Sequence, residues 1–186
     1  MKKIMTTILL TLALSAGLSA QRVSISTNFA DWAQLGTVNL ALGVGISQHF
    51  SFQAGAKYNP WQFENEKQNM DLYIKQQCYH AGFRYWPWYV NSGWWLGLKG
   101  QYRKFSDTGI WRPAIEKVSA AGAGFSFGYD IMLGKHFDIE LGAGVWGGKY
   151  LDYTLHKCKD CMEVRESGSR LFFGADDVIV SLVYIF

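Results

Sequence analysis

Apolar and polar residues alternate one for one along most of the chain after residue 21, and no other feature narrows the possible folds as much. A period of two sends successive side chains to opposite faces of a strand. Over residues 39–47, Leu40, Leu42, Val44 and Ile46 fall on one face; Asn39, Ala41, Gly43, Gly45 and Ser47 fall on the other. The pattern returns over 50–58, 79–85, 94–103, 121–131, 137–145 and 178–186. Together with an opening strand after residue 21, it predicts about eight strands of roughly 10 residues. No segment shows a helical period of similar strength. No run after residue 20 reaches the roughly 18 apolar residues that a spanning helix needs.

The two faces differ in a way that decides which one points inward. One carries Lys57, Arg84, Lys99, Arg103, Asp130, Asp138 and Glu140 among many glycines, and the other is bulky and almost free of charge. A soluble sandwich or lipocalin-like barrel, apolar inside and wet outside, would rarely select so much glycine on its wet face. Lipid outside and a narrow polar lumen inside account for both faces. The expected fold is all-β: an eight-stranded antiparallel transmembrane β-barrel with a closed, polar-filled lumen. Gly122, Gly124 and Gly128 would make room for Lys99, Gln101 and Arg103, and the acids of the sixth and seventh strands would balance charge, so a plugged barrel is expected rather than a pore.

The connections alternate in length. Gln48-His49, Pro87 to Gly93 and Gly134 to His136 are short, whereas Pro60 to Asp71, Ser106 to Ser119 and Leu155 to Arg170 are long and polar. Short periplasmic turns, long external loops and two periplasmic termini are the arrangement of outer-membrane barrels. A weak internal repeat agrees: Ser47-Gln48-His49-Phe50-Ser51-Phe52 resembles Gly134-Lys135-His136-Phe137-Asp138-Ile139.

Lys2 and Lys3, the apolar run Ile4 to Leu14 and the small residues up to Ala20 read as a secretory signal peptide, residues 1–20. That leaves residues 21–186 as one outer-membrane barrel domain, with no cysteine placed to take a lipid. Without Lys2 and Lys3 the formal charge falls from +3 to +1. No basic block remains to neutralise phosphates, which excludes nucleic acid as a partner. The 8 Trp and 10 Tyr exceed what a soluble domain of this size usually carries and suit an interface.

Val178, Val180, Leu182, Tyr184 and Phe186 alternate up to the last residue, and Tyr184 and Phe186 read as the terminal signal taken by the barrel-assembly machinery. The run Tyr85 to Trp95, with six aromatics around a turn, reads as an interfacial girdle at the periplasmic rim rather than a carbohydrate platform. Trp61, Phe63 and Trp111 lie in polar loops and are the binding candidates, as anchors for a partner or as covers folded over the barrel mouth. Cys158 and Cys161 lack the helix context of a redox pair and the further ligands of a zinc site. They read as a structural disulfide candidate, with Cys78 as the other possible partner. His49 and His136 sit at turns and His80 on the lumen face. Asp176-Asp177 reads as capping a strand or pairing a lumen cation rather than as catalytic. No catalytic, cofactor-binding or metal residues are predicted.

The segments Ser24 to Leu35, Ala54 to Phe63, Ala81 to Trp95, Gly109 to Pro113 and Gly144 to Tyr150 resemble an uncharacterised outer-membrane barrel family of Bacteroidales-type anaerobes, a domain of unknown function. The resemblance implies membership of that family, with some members encoded near fimbrial or adhesin genes, and transfers no catalytic residue. The expected protein is therefore not an enzyme. It is an outer-membrane barrel with a structural, adhesion or surface-assembly role, contacting membrane lipid, the assembly machinery and fimbrial or other envelope proteins. The alternative is an outer-membrane enzyme acting on lipid A or peptides.

Overall fold

A computed structural model describes residues 23–34, 36–63, 72–107, 115–156 and 164–186. In chain order the elements are β1 (Val23–Asn28), α1 (Phe29–Ala33), β2 (Val38–Gly45), β3 (Phe50–Asn59), β4 (Gln62–Phe63), β5 (Leu72–Tyr85), β6 (Gly93–Asp107), β7 (Ile115–Met132), β8 (Phe137–His156) and β9 (Val164–Ile185). Every pairing is antiparallel. Apart from β3 and β4, neighbours in sequence pair with one another, β3 pairs with β5, and β1 pairs with β9, so eight strands close into a barrel. The two-residue β4 pairs only with β5, beyond a break at Pro60-Trp61. The closing pair joins β1 to residues 181–185 of β9, so among the described residues the upper part of β9 is paired on its β8 side alone.

Burial follows the alternation, inside out relative to a water-soluble barrel. Leu98 is 63% exposed and Phe83 56%, while Lys57 is 7% and Glu140 3% exposed. The inward glycines are needed where large side chains enter the narrow lumen. A Cβ on Gly128 would stand 2.4 Å from the Leu141 carbonyl and 2.6 Å from the Trp95 ring.

Three expectations need correction. The strands are longer than expected, reaching 18, 20 and 22 residues in β7, β8 and β9, because polar stretches taken as loops continue the ladder. Residues 106–107 and 115–119 are strand, as are 155–156 and 164–170. Backbone pairing between adjacent strands does not need apolar side chains, so the ladder outlasts the hydrophobic pattern. Second, the aromatic run is not wholly a girdle. Tyr85, Trp88, Tyr89 and Trp94 face out, but Trp86 and Trp95 are fully buried inside the barrel with Ile179. Third, a short helix stands between β1 and β2. Asn28 caps it by accepting from the Ala30 N–H at 3.1 Å.

The internal repeat is structural. At one turn the Ile46 and Ser47 amides donate to the Phe50 carbonyl; at the other the Leu133 and Gly134 amides donate to Phe137. His49 Nδ1 donates to the Trp86 carbonyl at 3.0 Å, and His136 Nδ1 to the Ile185 carbonyl at 2.9 Å. Each imidazole therefore latches its hairpin to the next strand. At the same end, the Phe186 amide donates to the Val23 carbonyl, and the Tyr184 and Phe186 rings pack 5.0 Å apart.

Candidate functional site

The lumen holds the densest chemistry of the molecule. Lys57 Nζ lies 2.8 Å from both Asp31 and Asp177. Lys99 Nζ lies 2.7 Å from Asp176 and 2.6 Å from Asp177. Arg103 reaches Asp176 at 3.1 Å, and Gln101 Nε2 donates to the same carboxylate at 2.9 Å. Three cations thus face three anions at mid-barrel, in low-dielectric surroundings where an unpaired charge would be expensive.

Both aspartates point inward because β9 carries a bulge. Ala143 pairs with Val178 and Val145 with Ala175, so Asp176 and Asp177 together oppose Gly144. A bulge of this kind re-aims side chains within a ladder. Its trace is present in the sequence: Leu171, Phe173 and Ala175 occupy odd positions, and Val178, Val180 and Leu182 even ones. Asn28 binds the bulge to the first hairpin, donating from Nδ2 to the Val178 carbonyl and to Asp31 and accepting from the Val180 amide. Asp31, carried by α1, was not anticipated as a lumen residue. An Asn cap with Asp three residues on was the signal for it.

Towards the turn end, Arg84 grips Glu140 through two hydrogen bonds of 2.5 and 3.0 Å, and its guanidinium lies 4.0 Å from the Trp95 ring centre. Asp130 and Asp138 are buried below this pair, and among the described residues neither side-chain oxygen of Asp130 has a hydrogen-bond partner. Among the described residues, no group of three or more His, Cys, Asp or Glu is arranged to hold a metal ion. The free space at mid-lumen is about 60 Å³, enough for a few waters and too little for a substrate.

Above the ion network the barrel opens. Val118, Ala120 and Trp146 form an inward apolar cluster with Phe105, Tyr150 and Phe172. Arg103 stacks 5.1 Å from the Trp146 ring centre, joining this cluster to the network below. A cavity of about 490 Å³ lies at the rim of this end, bordered by Asn59, Gln76, Phe105 and Val118 of the lumen face and by Tyr58, Lys75, Gln77, Lys104 and Ser119 of the outer face. Its size suits a small ligand or an inserted side chain of a partner.

Of the loop candidates, Trp61 is half exposed, and its indole N–H donates to the Gly36 carbonyl at 3.1 Å, tying it across to the first connection. Phe63 lies in β4 opposite Leu72. Trp111, Cys158, Cys161 and residues 1–20 lie outside the described residues. Cys78 is buried on the lumen face opposite Arg103 and is not in a disulfide.

Among the described residues the lumen is filled, and its ion network is set by the bulge of β9. The model for the family described as "Protein of unknown function (DUF3575)" matches residues 5–186. The chain belongs to that family. No curated protein and no solved structure matches it. What distinguishes this DUF3575 member must therefore be read from its own side chains.

Proposed function

We propose that this chain is an outer-membrane β-barrel with a filled lumen, whose loop end serves a structural, adhesion or surface-assembly role towards another envelope protein, fimbrial subunits included. The inverted burial carries the membrane part of this reading. Each large apolar side chain turned into water forgoes about 1.5–3 kcal/mol of burial, and such residues encircle the barrel. Lipid removes that cost while the lumen satisfies the charges. The short turns then face the periplasm and the mouth faces outward.

The interaction role rests on the mouth cavity and the tethered Trp61 beside it, where a partner could insert an aromatic or aliphatic anchor. Asp176 and Asp177 do not favour an enzyme acting on lipid A or peptides, since Lys57, Lys99 and Arg103 occupy their carboxylates. The decisive experiment refolds the chain into phosphatidylcholine vesicles and compares boiled with unboiled samples on a semi-native gel, alongside circular dichroism. A mobility shift with a β spectrum supports the membrane barrel; a soluble species without a shift overturns it. Unchanged fimbriation and adhesion in a deletion strain would overturn the assembly role.

A further inference from the structure

The outward face of the barrel is apolar except at one level. Among the described residues of the strands, the charged side chains on this face are Lys75 on β5, Lys104 on β6 and Lys149 on β8, all exposed. Each sits ten or twelve residues from the aromatic that begins the outward row at the turn end: Tyr85 for Lys75, Trp94 for Lys104 and Phe137 for Lys149. At about 3.4 Å per residue and a tilt of about 40°, that span rises about 26–31 Å, slightly more than the apolar band of a membrane barrel. The lysines therefore mark the upper edge of the band. At the lower edge the strands present rings such as Trp94, Tyr129 and Phe137, and Lys135 lies beyond them in the β7–β8 turn.

We infer that Lys104 and Lys149 bind the phosphates of a phosphorylated lipid headgroup in the leaflet at the loop end. The inference rests on the membrane reading above and adds to it the chemistry of one leaflet. Lys104 Nζ lies over the Tyr102 ring, 5.7 Å from its centre, so a cation–π contact holds the ammonium at the edge of the apolar band. Neither lysine has an acidic partner among the described residues. One strand separates β6 from β8, which sets the two stems about 10 Å apart across the wall. Lys149 opposes Ala121 and Lys104 opposes Ser119, so they differ by one pleat in height and can engage two phosphates of one headgroup. The side chains between them, Ser119 and Ala121, are small and leave the headgroup room.

The test uses the full barrel refolded in phosphatidylcholine vesicles and titrated with fluorophore-labelled diphosphoryl lipid A, read by energy transfer from tryptophan. Replacing both lysines in K104Q/K149Q weakens association about 30-fold and each single change about fivefold, while K104R/K149R retains it. The boiling shift checks that every variant is folded. Equal affinity in wild type and K104Q/K149Q overturns the inference, as does full competition by inorganic phosphate at matching concentration, which would make this a free-anion site. A wild-type chain that inserts but ignores the lipid overturns this inference alone. A chain that never inserts overturns the membrane reading with it.

Discussion

Asp177 stands between Lys57 and Lys99 within 2.8 Å of each, and removing its charge leaves three buried cations facing two anions, with Lys57 on Asp31 and Lys99 on Asp176. D177N is expected to cost about 3 kcal/mol or more, read as a lower urea midpoint of the vesicle-inserted barrel. D130N should act in the opposite direction. The Asp130 carboxylate is 3% exposed and unpartnered, so a neutral amide there raises the midpoint, by about 1 kcal/mol. The inward placement of Lys57, Lys99 and Arg103 was legible from parity alone. Their partners were legible only in part: Asp176-Asp177 reads as able to pair a lumen cation, but the acids expected to balance Lys99 and Arg103 were those of the sixth and seventh strands, and it is the bulge that turns both carboxylates of Asp176-Asp177 to meet them instead.

At the scale of elements, the two histidine latches repeat one device at separate hairpins, between β3 and β5 and between β8 and β9. H49A and H136A should each cost about 1 kcal/mol, and the double variant about their sum, since the sites share no partner. Additive shifts in urea midpoint would bear this out. Valine at Gly128 is expected to be far worse, because its Cβ meets the Leu141 carbonyl and displaces the Trp95 ring; no folded, heat-modifiable species should accumulate for G128V. Both turns were visible as a repeated sequence. Trp86 and Trp95 continue the inward parity of Arg84 on β5 and Gly97 on β6, so their burial follows from the alternation itself; what masks it in the sequence is the density of aromatics, which suggests a single outward block.

For the whole molecule, the filled lumen predicts that the inserted barrel gives no discrete conductance steps in planar bilayers. Among the described residues the free space is about 60 Å³ at mid-barrel and about 10 Å³ at the turn end, too narrow for a wide aqueous channel. Regular steps in the wild type would contradict the closed lumen. The wide end is the mouth, where the cavity of about 490 Å³ lies. The short reach of β3, which ends at Asn59 while β5 and β6 continue, shapes that opening.

By itself the sequence determined the number of barrel strands, their faces and the polar character of the interior, because a period of two is a local property that burial on one side writes directly into residue order. It also carried the phase shift of the bulge and the repeated turns. The tertiary structure decided the rest: which charges meet, how α1 brings Asp31 into the network, where Trp86 and Trp95 close the lumen, and which lysines share a level on the outer wall. Those outcomes depend on register and on closure of β1 against β9, and they exist only when distant strands stand side by side.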